Sequence, residues 1–313
     1  MKDIDVLCAG LAVINFPVYP VDEGLFTREL TNVGPFAMLT GGDAANQAVV
    51  LSCLGAKADL ASRRGDDVFG QILAETLEGY GVSTGGVAVD KGRATALCAM
   101  MIKSDGQRHF CAHKGALDYF CFGDIDLSRL ARARIASIGG LCALRGLDRD
   151  GAARFCRAAK ERDVITVVDT KGDQEGMRDI VLRDILPHTD YFFPSYDEAA
   201  YLSGENDPAQ IAAVFLRLGA GHVGIKLGAA GCFFTDGADA FSLPAFPAQV
   251  VDTTGAGDNF MAGFITGLLH DWDPRACCRF GLAAGAISVS QIGPVGAVKS
   301  FEQVMGVAEG NIS

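Results

Sequence analysis

The chain has 313 residues, 49% hydrophobic and 21% charged, which suits one large α/β domain better than two independent ones. Its formal net charge of -11 argues against nucleic acid or an anionic membrane as a partner, since phosphate-rich surfaces require a basic face. No apolar run approaches the roughly 20 residues of a membrane span, and the first residues lack the order of a signal peptide, so we expect a cytoplasmic protein.

The first part of the chain predicts a buried strand, an irregular segment and a helix. Residues 5–13 form an apolar run typical of a buried strand, whereas residues 15–40 are richer in Pro, Gly and charge and are predicted to form part of a lid. Residues 41–70 read GGDAANQAVVLSCLGAKADLASRRGDDVFG. This segment contains a glycine pair, Asn46 on the first turn of a helix, a Leu-Gly stop, a short strand and then a Gly-Asp-Asp turn at residues 65–67.

A second lid segment is predicted further along. Residues 94–102 and 108–113 read as two short strands around Ser104–Gln107, which carries the Asp-Gly signal of a hairpin turn. The lid elements are therefore expected at about 15–40 and 93–116.

Beyond the lid, helical and strand patterns alternate, which predicts a mainly parallel sheet with helices on both faces. The predicted elements are helix 150–161, strand 164–169, helix 175–185, strand 190–193, a helix from Asp197, helix 208–218 and strand 222–227.

The segment Val251–Asp258, VDTTGAGD, places a glycine-rich turn and a carboxylate before a run of apolar residues at helical spacing. The amide groups of Gly255, Ala256 and Gly257 would then sit at a helix N-terminus, which attracts anions such as phosphate. Asp258 is the candidate base that takes the proton of an attacking hydroxyl. The alternative for this segment alone is a capped helix after a glycine-rich turn.

Together, residues 41–70 and 251–258 resemble the two signatures of the PfkB (ribokinase-like) family of carbohydrate and nucleoside kinases, in the expected order. The resemblance implies a three-layer α/β/α sandwich with a mainly parallel central sheet and a small β-sheet lid, in a single kinase domain over residues 1–313. It also implies ATP and Mg²⁺ as cofactors. Walker-type, dinucleotide-binding and H-E-x-x-H motifs are absent from the sequence.

The resemblance assigns Gly41, Gly42 and Asn46 to sugar hydroxyls, and an amide suits that task because it both donates and accepts hydrogen bonds. The family usually has an acidic residue where this chain has Asn15, so sugar binding there would use a neutral group. Asp43 is interpreted as a helix N-cap in preference to a sugar ligand.

On the nucleotide side, Ser195 replaces the asparagine of the family's Asn-x-x-Glu motif, and Glu198 keeps the glutamate that helps hold hydrated Mg²⁺. Glu198 is alternatively a first-turn acid favoured by the helix dipole. Gly228 and Gly231 match the turn that receives the nucleotide. Lys226 before them either neutralises phosphate or extends its charge from a strand end.

Some family members build a monovalent-cation loop, for K⁺, beside the anion hole, and this chain matches it in part. The alternative for the aspartate is a cap on local backbone groups. The matching residues are Asp252, Thr254, Ser288, Gln291 and Gly293, and Thr253 of the same segment is assigned to the nucleotide.

The sequence thus predicts an ATP-dependent kinase acting on a primary hydroxyl of a free pentose or hexose. A 2-keto-3-deoxy sugar acid is the second candidate, because lid residues could carry positive charge, and a nucleoside is the third. A non-catalytic sugar-binding or regulatory protein of the same fold is the alternative from another class. The positive lid residues are Arg93, Arg108, His113 and Lys114.

The lid is also predicted to form a homodimer interface. Its apolar residues are too many for a thin sheet that is left in water, so some must pack on a partner. They are Leu97, Met100, Met101, Ile102 and Phe110.

Overall fold

Two β-sheets organise the chain in this computed structural model, which describes residues 2–104, 107–173 and 176–310. The strands are β1 (Ile4–Gly10), β2 (Val13–Val21), β3 (Leu39–Gly41), β4 (Ala58–Gly65), β5 (Ser83–Asp90), β6 (Leu97–Lys103), β7 (Arg108–His113), β8 (Ala133–Leu141), β9 (Ile165–Thr170), β10 (Tyr191–Phe192), β11 (His222–Lys226), β12 (Cys232–Thr235) and β13 (Ala240–Leu243).

Helices connect and flank the strands. They are α1 (Asp43–Cys53), α2 (Val68–Gly79), α3 (Leu127–Arg132), α4 (Arg145–Asp148), α5 (Gly151–Lys160), α6 (Arg178–Ile180), α7 (Tyr196–Ser203), α8 (Pro208–Arg217), α9 (Ala256–Leu269), α10 (Pro274–Ser288) and α11 (Phe301–Ala308). A π-helical turn, Val181–Ile185, follows α6, and short 3₁₀ turns lie at Gly115–Tyr119, Phe122–Asp124, Leu186–His188 and Gly228–Ala230.

The larger sheet is mainly parallel, as predicted. Within the described residues it has nine strands in the order β13-β12-β11-β10-β9-β8-β1-β4-β5, and only the pairs β11–β12 and β12–β13, at one edge, are antiparallel. The central strands β1 and β8 are buried along almost their whole length, because helices cover both faces of a parallel sheet. Their register places Val6 opposite Ile135 on one side and Ala58 on the other.

The two faces of this sheet carry two separate hydrophobic cores. Helices α1, α2, α9, α10 and α11 contribute to one core, and helices α3, α5, α7 and α8 contribute to the other. The predicted three-layer α/β/α sandwich is therefore confirmed. Among the described residues, no helix combines the length and the apolar character that crossing a bilayer requires.

The smaller sheet has the order β3-β2-β6-β7, with β6 and β7 antiparallel as the predicted hairpin. Residues 105 and 106 of the proposed Asp-Gly turn lie outside the described residues. In β6 the side chains of Met100 and Ile102 are buried within this chain, whereas Phe110 on β7 is 50% exposed. Met100 and Ile102 are thus covered within the chain, and the expectation that some of the apolar lid residues pack on a partner stays a prediction.

The predicted elements differ from the structure at several places. The first strand ends at Gly10, whose φ of 143° and close approach to the Gly139 carbonyl allow the chain to leave the large sheet and enter β2. The helix predicted at 175–185 is α6 and the π-helical turn, and residues 174 and 175 lie outside the described residues. Strand β8, and the edge strands β12 and β13, were not predicted.

Candidate active site

The glycine-rich turn lies at the N-terminus of α9, as the sequence predicted. Gly255 is the N-cap with φ of 77°, and a Cβ there would lie 2.7 Å from Pro294, so only glycine fits. The Asn259 side chain fixes the turn, since its amide donates to the carbonyls of Gly255 and Pro294, each at 2.8 Å. The amide of Ala256 donates to the Thr253 carbonyl at 3.3 Å. The turn is thus held rigidly at a helix end that favours anions.

Asp258 lies in the first turn of α9 and contacts the first turn of α1. The Asn46 amide nitrogen Nδ2 donates to the Asp258 carboxylate oxygen Oδ2 at 2.7 Å, across 212 residues of sequence. Both side chains are buried, and the Asn46 oxygen Oδ1 has no hydrogen-bond partner among the described residues. Burial, together with the charges of Asp43 and Asp169, raises the pKa of Asp258 well above its usual value. These are properties of a general base.

Asp43 does not cap α1, contrary to the prediction. Gly42 is the N-cap residue, with φ of 92°, and the helix end has no side-chain cap. The Asp43 carboxylate instead accepts a hydrogen bond from the Lys171 Nζ at 2.9 Å. The Asp43 charge raises the pKa of Lys171. Lys171 directly follows β9, and its ion pair with Asp43 explains why this aspartate does not cap α1 as the local sequence pattern predicts.

Asn15 and the glycine pair pack closely beside α1. Asn15 is buried on β2, and a Cβ on Gly41 would lie 2.0 Å from its Nδ2. A Cβ on Gly42 would lie 2.5 Å from the Leu11 carbonyl. The predicted sugar residues Asn15, Gly41, Gly42 and Asn46 are therefore neighbours on elements that meet near Asp258, while their contact with a sugar stays a prediction.

A buried ion pair lies near Asp258, between Lys226 at the end of β11 and Asp169 at the end of β9. Burial raises the pKa of Asp169 to about 6 even with this partner present. Burial alone would lower the pKa of Lys226, but the charges of Asp169 and Glu198, with the hydrogen bond to Asp169, together outweigh burial and raise it. A Cβ on Gly257 would lie 3.4 Å from the Lys226 Nζ, so this ammonium group lies against the anion-binding turn.

Glu198 and Ser195 form a capping box at the start of α7. The Glu198 oxygen Oε2 accepts hydrogen bonds from the Ser195 amide and from the Thr170 hydroxyl, each at 2.9 Å. These contacts agree with the alternative that Glu198 is an acidic residue stabilising the first turn of α7. Its role in holding hydrated Mg²⁺ stays a prediction.

A cleft of about 490 Å³ lies beside the anion-binding turn. It includes four of the five residues assigned to the nucleotide, and the exception is Ser195. Residues from the loop after β13 and from α10 form an apolar wall that was not predicted from the sequence. The loop residues have no periodic pattern from which a prediction could be made. The predicted lining residues are Lys226, Gly228, Gly231 and Thr253, and the added apolar ones include Phe246, Val250, Leu282 and Val289.

The predicted cation loop contains a guanidinium group. Arg108 on β7 donates to the Asp252 oxygen Oδ1 at 2.6 Å and also contacts Thr254. Ser288 donates to the Gly285 carbonyl at 2.7 Å, and Gln291 donates to the Val295 carbonyl at 3.0 Å. The amide of Gly293 donates to Asp252 at 2.9 Å, so this residue offers the aspartate a donor. These contacts do not fit a K⁺ ion at Asp252.

Two of the other positive lid residues, Arg93 and Lys114, also have partners. Arg93 donates to Asp90 at 3.0 Å and lies 3.7 Å from the centre of the Tyr119 ring. Lys114 donates to the Ala143 carbonyl at 3.0 Å. The argument for a sugar acid as the substrate requires free positive charge on the lid, and these contacts weaken that argument.

Three charged residues of the site carried no role in the sequence reading: Asp169, Lys171 and, as a partner of the turn, Arg108. Asp169 and Lys171 lie at the carboxyl end of the buried strand β9, which is where open α/β sheets bind ligands, and this position could have identified them. Arg108 could not be found this way, since its partner lies 144 residues away.

Comparison with solved structures gives the class of the fold. A ribokinase from Thermotoga maritima matches with a TM-score of 0.84 and 25% identity, over 98% of this chain and 99% of that one. Arabidopsis thaliana ribokinase complexed with ribose and ATP matches with a TM-score of 0.80 and 25% identity, over 98% and 99% of the two chains. The fold is ribokinase-like.

The family model for pfkB family carbohydrate kinases matches residues 3–300, so the chain belongs to the PfkB family of carbohydrate kinases. Among relatives, fructokinase-2 of Oryza sativa subsp. japonica is 28% identical over 291 residues, covering 86% of this chain and 84% of that protein. Fructokinase-2 of Solanum lycopersicum is 26% identical over 296 residues, covering 88% of each.

Proposed function

We propose that this protein transfers the γ-phosphoryl group of ATP to a primary hydroxyl of a free sugar, with fructose as the first candidate and ribose as the second. The observation that carries this proposal is the 2.7 Å hydrogen bond between Asn46 and Asp258. It joins the helix after the glycine pair to the helix end that favours phosphate, so a sugar and a phosphoryl group would meet at one carboxylate. The named fructokinases and ribokinase among the similar proteins favour these two sugars.

The contacts support a direct role for Asp258 in proton transfer. As the sugar hydroxyl oxygen attacks the γ-phosphorus, the bond to the β-phosphate oxygen breaks, ADP leaves, and the hydroxyl proton passes to the Asp258 carboxylate. The raised pKa of Asp258 makes its carboxylate a stronger base than an exposed aspartate. The amides at Gly255, Ala256 and Gly257 would stabilise charge on the transferred group.

The N-terminus of α1 supplies the sugar contacts in this proposal. Because the Asn46 oxygen Oδ1 is buried without a partner among the described residues, it is an available acceptor for a hydroxyl. A buried orphan acceptor carries a free-energy cost of about 1–3 kcal/mol, which a bound sugar would remove.

Asp169 and Glu198 are the carboxylates that would hold Mg²⁺ through water. Within the parts of the chain that the structure describes, no three Asp, Glu, His or Cys side chains converge as a metal site. This fits Mg²⁺ in a kinase, which takes most of its ligands from water and from substrate phosphates. When bound, Mg²⁺ would supply positive charge that offsets the negative charge developing on the phosphates.

The small sheet is proposed to act as a lid and as a homodimer interface. Phe110 is 50% exposed, and the connection between β2 and β3 exposes Phe26 to 88% and Phe36 to 71%. Apolar rings at this exposure favour a partner surface, and a second copy of the chain would bury them across a two-fold axis.

A substrate panel tests the function. ADP release would be measured with fructose, ribose, glucose, 2-keto-3-deoxygluconate and nucleosides, and the product would be identified by mass spectrometry. We expect fructose or ribose to give the highest kcat/KM. A preference for the sugar acid or a nucleoside would overturn the choice of substrate, and binding of sugar without ADP release would support a non-catalytic protein.

A further inference from the structure

Arg108 connects the small sheet to the turn that precedes the anion site. Its Nη1 donates to the Asp252 Oδ1 at 2.6 Å, and its Nη2 donates to the Thr253 hydroxyl oxygen at 2.6 Å. Nη1 also contacts the Thr254 hydroxyl oxygen. Both charged groups are largely covered, since the side chains of Arg108 and Asp252 are 24% and 9% exposed. One guanidinium therefore contacts three consecutive residues that lead directly into Gly255.

The Asp252 carboxylate already has hydrogen-bond donors on both oxygens. In addition to Arg108, the Thr254 amide and hydroxyl donate to Oδ1 at 2.9 and 2.7 Å. The Gly293 amide donates to Oδ2 at 2.9 Å. Burial alone would raise the pKa of Asp252, but these donors and the Arg108 charge hold it below the usual value. The carboxylate thus has four protein donors, three on Oδ1 and one on Oδ2, and these favour its ionised form.

A free monovalent cation does not fit this arrangement. A bound K⁺ would need oxygen ligands at the Asp252 carboxylate, where the guanidinium and the backbone amides already donate. It would also lie within a few ångströms of a fixed positive charge, which repels it in a poorly hydrated site. Arg108 supplies from within the chain the positive charge that a bound ion would bring.

We propose that Arg108 is a positioning residue that acts as a built-in cation, fixing the anion-binding turn from the small sheet and making turnover independent of K⁺. This inference rests on the proposed kinase function of the turn. A turn held at Asp252, Thr253 and Thr254 presents its amides in one geometry, so little reorganisation accompanies the reaction. Since β7 shares a sheet with β2 and β3, the strands that carry Asn15 and Gly41, a movement of the lid would also move the guanidinium.

Three substitutions test the proposal: Arg108→Ala removes the guanidinium, Arg108→Met keeps its apolar stem, and Arg108→Lys keeps a point charge without the planar fork. Activity would be measured with the best sugar of the panel in KCl and in tetramethylammonium chloride at equal ionic strength. We expect wild-type kcat to differ by less than about twofold between the salts, and kcat of Arg108→Ala and Arg108→Met to fall by about tenfold or more. Added K⁺, or guanidinium ion at low concentration, should restore part of the lost kcat.

Arg132→Ala is the matched control, because it also removes an arginine that pairs with an aspartate. This pair is exposed, and its partner Asp3 directly precedes β1. Far-UV circular dichroism would confirm that each variant is folded. A wild-type enzyme strongly activated by K⁺ would overturn the proposal. Loss of activity in Arg108→Ala with a raised sugar KM and no response to K⁺ or guanidinium would also overturn it, and would identify Arg108 as a substrate ligand.

A readout without sugar separates this inference from the proposed function. The thermal shift that a non-hydrolysable ATP analogue gives would be measured in both salts for wild type and Arg108→Ala. We expect a shift independent of K⁺ in wild type and one increased by K⁺ in the variant. If no sugar is phosphorylated but this pattern holds, the proposed substrate fails and the role of Arg108 stands. A thermal shift that K⁺ increases in wild type but not in Arg108→Ala would refute the inference, whichever substrate the protein uses.

Discussion

The contact between Asn46 and Asp258 makes Asn46→Ala the most informative single substitution. Asn46 is buried, donates to Asp258 and has an oxygen without a partner among the described residues. Losing one buried polar contact to the sugar costs about 1–3 kcal/mol, which corresponds to roughly a 5- to 150-fold rise in the sugar KM. The KM for ATP should not change, since Asn46 lies outside the nucleotide cleft.

The same substitution should change the pH dependence of activity. Burial is the main cause of the raised pKa of Asp258, the charges of Asp43 and Asp169 add to it, and Lys171 and the hydrogen bond from Asn46 oppose it. Removing Asn46 therefore raises this pKa further. A base must be ionised to accept a proton, so the acidic limb of kcat should move to higher pH in the variant.

The assay is steady-state kinetics across the pH range, with Gln47→Met as the matched control. Gln47 is a neighbouring buried amide on α1, and its Oε1 accepts from the Ser137 hydroxyl at 2.7 Å, away from Asp258. The control should lose stability without moving the pH profile. An unchanged pH profile in Asn46→Ala, or a raised KM for ATP, would refute the reasoning.

Three further outcomes follow from the structure. Gly255→Ala should lower kcat much more than Gly257→Ala, because an alanine at 255 adds about 1–2 kcal/mol of backbone strain and places its Cβ 2.7 Å from Pro294. A Cβ on Gly257 lies at an ordinary 3.4 Å from the Lys226 Nζ. Equal kcat values for the two variants would contradict this prediction. Burial raises the pKa of Asp148 from 3.8 to about 7, so the native state binds the proton more tightly than the unfolded state, and stability is lost as pH rises from about 4 to 7. Thermal unfolding against pH should show this decline, and Asp148→Asn should flatten it; parallel curves would contradict the assignment. Sedimentation should give a dimer that Phe110→Ser weakens, and a fully active wild-type monomer would show that the lid works alone.

The sequence allowed the fold to be predicted because its signals are local. Apolar runs, helical periodicity and the glycine turn before Asp258 act within a few residues, and the family resemblance ordered them along the chain. Strand β8 was missed, although it is buried on almost every residue, because a short apolar run does not distinguish strand from helix.

The contacts of the site could not be predicted in the same way. Asn46 and Asp258 are 212 residues apart, and Arg108 and Asp252 are 144 apart, so their pairing depends on how the two sheets meet. The Asp43 cap was a sound local prediction, but the Lys171 ammonium at the end of β9 provides a charged partner that outweighs it. Long-range charge pairs of this kind decide the roles of site residues.

The kinetics of Asp258→Asn test the central claim most directly. Turnover and nucleotide binding would be measured on the same preparation, with the sugar that wild type phosphorylates best. Because the amide cannot accept the hydroxyl proton as a base, we expect kcat to fall by about a hundredfold or more, while ATP affinity changes little. Near-normal turnover in Asp258→Asn would contradict the account, since the carboxylate would then not be the base.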